Sequence, residues 1–403
     1  MGKASLLMVI GFSTALLMIG SNISKVSSAS MDNYLSYFRT SQAHNIAAAG
    51  TNLAARSLWE NPTWRGGFSR KSYLGGFFNS SVTDLGANQV QVVTTAEFMD
   101  EVSTVAVLLQ PSSFSRFGYY SNQEGNIWWI TGDTVWGPMH TQDNIRVAGS
   151  PAFMQRVTSL KSLLKSKKTD SPQFLGGYEG GVNVAMPANL DPLKMAASNG
   201  GKLFDGPDSL YLDFQANGQI KWKQGSGEVW NIDNLNSFAP NGAIYINGGN
   251  VHVKGVLNGK VTVGAGGTNG NNKQGNIFID DDITYYEHPK TGSDDFLGLV
   301  AENNIVIADR PETRGDLKIR ASMFCRSGGV TAENYQGRPV EGKIELIGGI
   351  QQNKRGAVGT FSGSPPQRVS GYLKNYQYDD RLMFDAPPYF PSTGNYEIVS
   401  WFE

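Results

Sequence analysis

Residues 4–24 read ASLLMVIGFSTALLMIGSNIS, a run of 21 residues without a charge, bracketed by Lys3 and Lys25. That length reaches the ~20 residues needed to cross a bilayer core. Behind it the pattern turns amphipathic. Tyr34, Leu35, Phe38, Ile46, Ala49, Leu53 and Leu58 recur at spacings of three to five with polar residues between them. The first proline is Pro62, and the alanine-rich stretch 43–55 favours helix. The spacing therefore predicts one helix over residues 5–59, on the order of 80 Å long at ~1.5 Å per residue. A globular core has no use for such a length.

Outward from the helix the texture changes. Only Gly2, Gly11, Gly20 and Gly50 fall in the first 60 residues, although the chain of 403 residues holds 48 glycines. Residues 88–110 carry two Val/Thr-rich runs, 90–95 and 102–109, expected to pair as a hairpin against the helix. After residue 118 short alternating runs end in Gly or Asn and restart. They include NIWWI (126–130), NIRV (144–147), AIYI (243–246), VHVK (251–254), GKVTV (259–263), NIFI (276–279), NIVI (304–307), DLKI (316–319) and KIELI (343–347). Close spacing without hairpin-type pairs predicts parallel pairing over most of 125–350, with Asn at successive corners stacking in ladders. A Greek-key sandwich is the competing arrangement. Helix is expected only at 153–165 and 187–197.

The fold expected is α+β, mostly β: a long amino-terminal helix (1–60), a small sheet (61–117), a right-handed parallel β-helix or solenoid head (118–370) and a carboxyl-terminal tail (371–403) capping the last rung.

Composition narrows the function. With 34 basic and 35 acidic side chains the formal charge is −1, which disfavours a nucleic-acid partner. Cys325 is the single cysteine, too few for an intrachain disulfide or a Cys-based zinc cluster. His44, His140, His252 and His288 form no zinc-binding pair, and no Ser or Cys elbow accompanies His140, which reads as structural. The sequence calls for no cofactor. The acidic run Asp280, Asp281, Asp282 is the candidate for Ca²⁺ or, with Asp294, Asp295, Arg310 and Arg314, for acid/base work on a glycan. Against this, Asp belongs at turns, and alternate strand residues diverge to opposite faces.

Three readings fit the amino terminus. Lys3, the apolar run 6–19 and Ser28-Ala29-Ser30 suit a cleaved signal peptide; the 21-residue run suits a signal anchor. Third, KASLLMVIGFSTALLMIG followed by SYFRTSQAHNIAAAGTNLAARSLWENP resembles the amino-terminal helix of PilX-type minor pilins, through Ala47, Ala48, Ala49, Gly50 and Leu53. Segments 132–159 and 378–403 are similar to parts of uncharacterised bacterial pilin-like proteins with β-helical bodies. The resemblance implies a type IV pilin-like filament subunit, cut by a prepilin peptidase after Gly2 to leave Lys3 first. It would sit in the inner membrane before assembly. It would then pack through Leu6, Leu7, Val9, Ile10, Phe12, Leu16, Leu17 and Ile19 against identical or related pilin subunits in an extracellular filament. The head would serve adhesion or surface contact, with surface glycans among its partners, and no enzymatic activity is implied. One departure stands out. The glutamate usual five residues after the cleavage site is replaced by Leu7, an absence shared with the tip pseudopilin of type II secretion systems. The alternative is a secreted β-helical carbohydrate-active enzyme, a lyase or hydrolase, with a mature start near Met31.

Overall fold

The computed structural model describes residues 2–86, 89–267, 274–362 and 367–403. Two compact units divide the chain: residues 1–111 with 394–403, and residues 112–393.

The first unit is built on one unbroken helix, Gly2–Glu60, of 59 residues. Its buried positions are Ala43, Ile46, Ala47, Gly50, Thr51, Ala54 and Leu58, spaced by three and four so that they line one stripe. That stripe meets a five-stranded sheet ordered Phe68–Tyr73, Gly76–Gly86, Gln89–Phe98, Glu101–Ser113 and Ser392–Phe402. The first four strands form an antiparallel meander. Strand Gln89–Phe98 alternates, turning Val90, Val92, Thr94, Ala96 and Phe98 inward. Ile46 and Ala47 pack with Phe78, Ala96 and Val105, while Ala54 and Leu58 pack with Val90, Val92 and Val107. The hairpin expected against the helix is present.

The second unit is mostly parallel sheet. One series of parallel neighbours runs Lys202–Asp205, Ala243–Asn247, Lys260–Gly266, Phe296–Ala301, Leu317–Cys325 and Val340–Lys354. A second runs Ser209–Phe214, Asn250–Leu257, Ile277–Tyr285, Ile305–Ile307 and Val330–Ala332. Each strand sends alternate aliphatics inward, as in Val251, Val253, Ile277, Ile279, Ile305 and Ile307 of one continuous core. At the strand starts an Asn ladder climbs the sheet. Asn250 Oδ1 accepts from the Asn276 backbone N–H at 3.0 Å, Asn276 Oδ1 from the Asn304 N–H at 3.1 Å, and Asn304 Oδ1 from the Gly329 N–H at 3.1 Å.

This topology corrects the expected right-handed parallel β-helix over 118–370. Such a coil stacks its rungs in chain order, whereas here the order breaks: Val340–Lys354 lies beside Tyr119–Gln123, which continues into Met139–Thr141, Val157–Ser159 and Tyr178–Gly180. The sheet also branches, since Val340–Lys354 pairs with three strands, Leu317–Cys325, Gln367–Tyr378 and Tyr119–Gln123. Antiparallel segments are added too: Gln219–Gln224 between Ser209–Phe214 and Asn231–Asn234, and Gly359–Ser362 on Gln367–Tyr378. The physical reason is length. A 15-residue strand overhangs its neighbours, and its unpaired backbone groups recruit further segments.

Two smaller expectations also change. Residues 153–165 hold the short strands Val157–Ser159, with parallel partners on both sides, and Leu163–Lys165, paired with Ile145–Ala148, because strand pairing outweighs a weak helical spacing. Only Asp191–Ser198 is helical nearby. The tail 371–403 is divided: its first residues continue the strand Gln367–Tyr378, and Ser392–Phe402 is the last strand of the helix-bearing sheet, beside Glu101–Ser113.

Candidate functional site

Two regions carry chemistry that the core does not consume. The first is the outer part of the long helix. From Gly2 to Phe38 every residue is exposed, and the first buried helix position is Ala43. Leu6, Leu7, Val9, Ile10, Phe12, Leu16, Leu17 and Ile19 are 52–73% exposed, so eight large apolar side chains have no cover among the described residues. Gly2 and Lys3 begin the helix. By length and composition this helix can cross a membrane. Single exposed apolar residues are ordinary on a protein surface; a contiguous sleeve of them marks a surface made for lipid or for other helices.

The second region is a groove on the outer face of the parallel sheet. Its origin is a sequence triplet: Tyr211-Leu212-Asp213, His252-Val253-Lys254 and Phe278-Ile279-Asp280 each place an aromatic ring, an aliphatic and a charge in order. In a strand the middle residue faces one side and its neighbours the other. Leu212, Val253 and Ile279 are accordingly buried in the core. The parallel register aligns Tyr211 with His252 and His252 with Phe278. The three rings stack, at 4.4 Å and 9° between Tyr211 and His252, then 4.8 Å and 11° between His252 and Phe278.

The acidic run sits in a register break. Val253 pairs with Ile279 and Gly255 with Ile283, so residues 280–282 bulge opposite Lys254 alone. The bulge sends the three carboxylates apart. Asp280 turns to His252, whose Nδ1 lies 3.0 Å from Oδ2, and to Arg310, whose Nε lies 3.0 Å from Oδ1. Asp281 accepts from the Asp282 backbone N–H at 2.7 Å, and Asp282 from the Lys318 N–H at 2.7 Å. Among the described residues no group of three His, Cys, Asp or Glu side chains is placed to hold a metal.

The remaining candidates disperse. Asp295 is buried in a turn, accepting from the Gly259 N–H at 2.6 Å and the Ser293 hydroxyl at 2.9 Å, while Asp294 is exposed. Arg314 pairs with Glu341 and Asp309, both at 2.6 Å. His140 is buried against Thr158, its Nδ1 2.7 Å from the hydroxyl, and stacks on Tyr120. Burial pushes its pKa down to about 4. The same cause pushes the Cys325 thiol up to about 12, an inert residue of the core.

One wall of the groove comes from the antiparallel hairpin of Gln219–Gln224 and Asn231–Asn234. Lys223 lies opposite Tyr211, its Nζ 5.1 Å from the centres of both the Tyr211 and Trp230 rings, and donates to the Ser226 carbonyl at 2.5 Å. With Lys254, Arg310 and Glu312 these residues line a cavity of about 330 Å³. Reading the sequence singles out Asp280 and Arg310, and Trp230 among the aromatics that could face sugars or partner subunits, but passes over Tyr211, Lys223 and Lys254. The repeated aromatic–aliphatic–charge triplet was the signal for part of that set.

No protein-family model matches the chain, and no curated protein does. Among solved structures, the competence-associated pilin ComZ from Thermus thermophilus superposes over 90% of this chain and 97% of its own, with a TM-score of 0.42 and 12% identity. At that level of agreement the overlay bears on neither fold nor role, which rest on the chain's own residues.

Proposed function

We propose that the chain is a pilin-like structural subunit of an extracellular filament, held in the inner membrane before assembly. One observation carries this reading: a single helix is split by environment. Its inner part, from Ala43 to Leu58, is built into a sheet, and its outer part, through Phe38, is an uncovered apolar sleeve. A rigid rod of that kind hands its apolar end to lipid first and to the rods of neighbouring subunits afterwards. Processing after Gly2 would leave Lys3 as the first residue, and adhesion or surface contact would fall to the second unit. With Leu7 in place of an acidic residue, register in the filament comes from packing. Gly11 and Gly20, beside which an added Cβ meets nothing within 4 Å, leave room for close approach.

The test is a charge in the sleeve. A lysine at a helix centre in the bilayer costs ~2.5–3.5 kcal/mol on insertion scales. Leu16→Lys should abolish filaments while the sheet-bearing units stay folded, and mass spectrometry of the exported protein should give Lys3 as the first residue. Normal filaments from Leu16→Lys cells, or a secreted monomer starting near Met31, would replace this reading with a cleaved signal peptide.

A further inference from the structure

The groove lined by Tyr211, Lys223, Trp230, Lys254, Asp280 and Arg310 belongs to the second unit and not to the helix assigned to filament packing in the proposed function. We propose that it binds an anionic oligosaccharide, a short chain of sugar rings bearing carboxylates.

Three features select that ligand class. Trp230 is 39% exposed at the groove edge, a large flat apolar surface suited to the C–H face of a sugar ring. The floor is already organised. The stacked Tyr211, His252 and Phe278 rings fix the imidazole, and Asp280 joins His252 to Arg310 through contacts of 3.0 Å each. A pre-ordered set of donors and acceptors loses little freedom on binding hydroxyl groups. The third feature is charge. Lys223, Lys254 and Arg310 stand against Asp280 and Glu312, an excess of one cation among these five side chains. The excess favours an acidic ligand. Carboxylates on a hydroxyl-rich scaffold supply both the negative charge and the hydroxyl groups that this groove can take. The volume of about 330 Å³ lies at the lower end of small-molecule sites, the size for one or two rings with the rest of the chain outside.

The site is separate from the filament reading, so each can fail alone. The test uses the full-length protein in detergent, with a short oligogalacturonate as probe and its methyl-esterified, uncharged counterpart as comparison, followed by isothermal titration. The acid form should bind saturably, more weakly as salt rises, and the ester about tenfold less tightly, the loss of one charge-assisted contact. Trp230→Ala and Lys254→Gln should each weaken the acid form by about tenfold. Lys254→Gln should also remove most of the difference between acid and ester, which a merely structural effect would not do. Absence of binding, equal binding of acid and ester, or wild-type affinity in both variants would overturn the proposal.

Discussion

Gly50 lies where the helix touches the sheet. A Cβ there would come 2.6 Å from the Phe78 ring and 2.8 Å from the Thr94 methyl, and both neighbours are buried. Replacing a helical glycine by alanine ordinarily gains ~1 kcal/mol. Here overpacking, at ~1–3 kcal/mol, exceeds that gain. Gly50→Ala should therefore lower the thermal midpoint, while Gly20→Ala, in open space, should leave it equal or higher; a rise in both would show that the helix and sheet do not meet at Gly50. His140 gives a second residue-scale prediction. Burial holds its folded pKa near 4, whereas the unfolded imidazole titrates near ~6.5. The unfolded chain thus binds the proton more readily. The stability from a neutral His140 is whole above pH ~6.5 and is lost as pH falls through about 4, by about 3 kcal/mol in all. Urea midpoints at pH 7 and 4.5 should differ less in His140→Gln than in the parent. An unchanged difference would mean that another group governs the acid limb.

At the scale of elements, the Asn ladder ties strand to strand where alternating side chains cannot. Asn276 is 6% exposed and works in both directions: its backbone N–H and Nδ2 donate to Asn250, and its Oδ1 accepts from Asn304. Removing the amide leaves the bond from the residue 276 backbone N–H to Asn250 but takes away the acceptor of the half-buried Asn304 N–H and Nδ2. Asn276→Ala should cost ~1–3 kcal/mol, the penalty for leaving those donors without their acceptor. Chemical denaturation reads this directly, and a loss below ~0.5 kcal/mol would mean that the ladder is bypassed by water. The bulge at 280–282 belongs to the same scale. Three residues opposite one release the carboxylates from strict alternation and aim Asp280 at His252 and Arg310.

For the whole molecule, none of residues 2–38 is buried among the described residues, and each unit has a core cluster without them. Deleting residues 1–30 should give a protein soluble without detergent, with the parent's unfolding midpoint, as calorimetry would report. A lowered midpoint would assign the sleeve a structural role inside the subunit.

The sequence by itself determined the long helix, its apolar run and the facing of most strand residues. Those are local properties: a missing charge, a spacing of three and four, or an alternation is written in adjacent residues. The inward Val251, Val253, Ile277 and Ile279 and the Asn corners were legible for that reason. Only the tertiary structure decided which strands became neighbours. Nothing near Tyr119–Gln123 announces Val340–Lys354 as its partner, because backbone pairing is nearly blind to sequence and its register is settled by the whole core. The expected coil failed at that junction. The same non-local pairing brought Tyr211, His252, Phe278 and Arg310 together from four separate segments. The groove's chemistry is thus spelled in the sequence one residue at a time, and its geometry exists only once the sheet has formed.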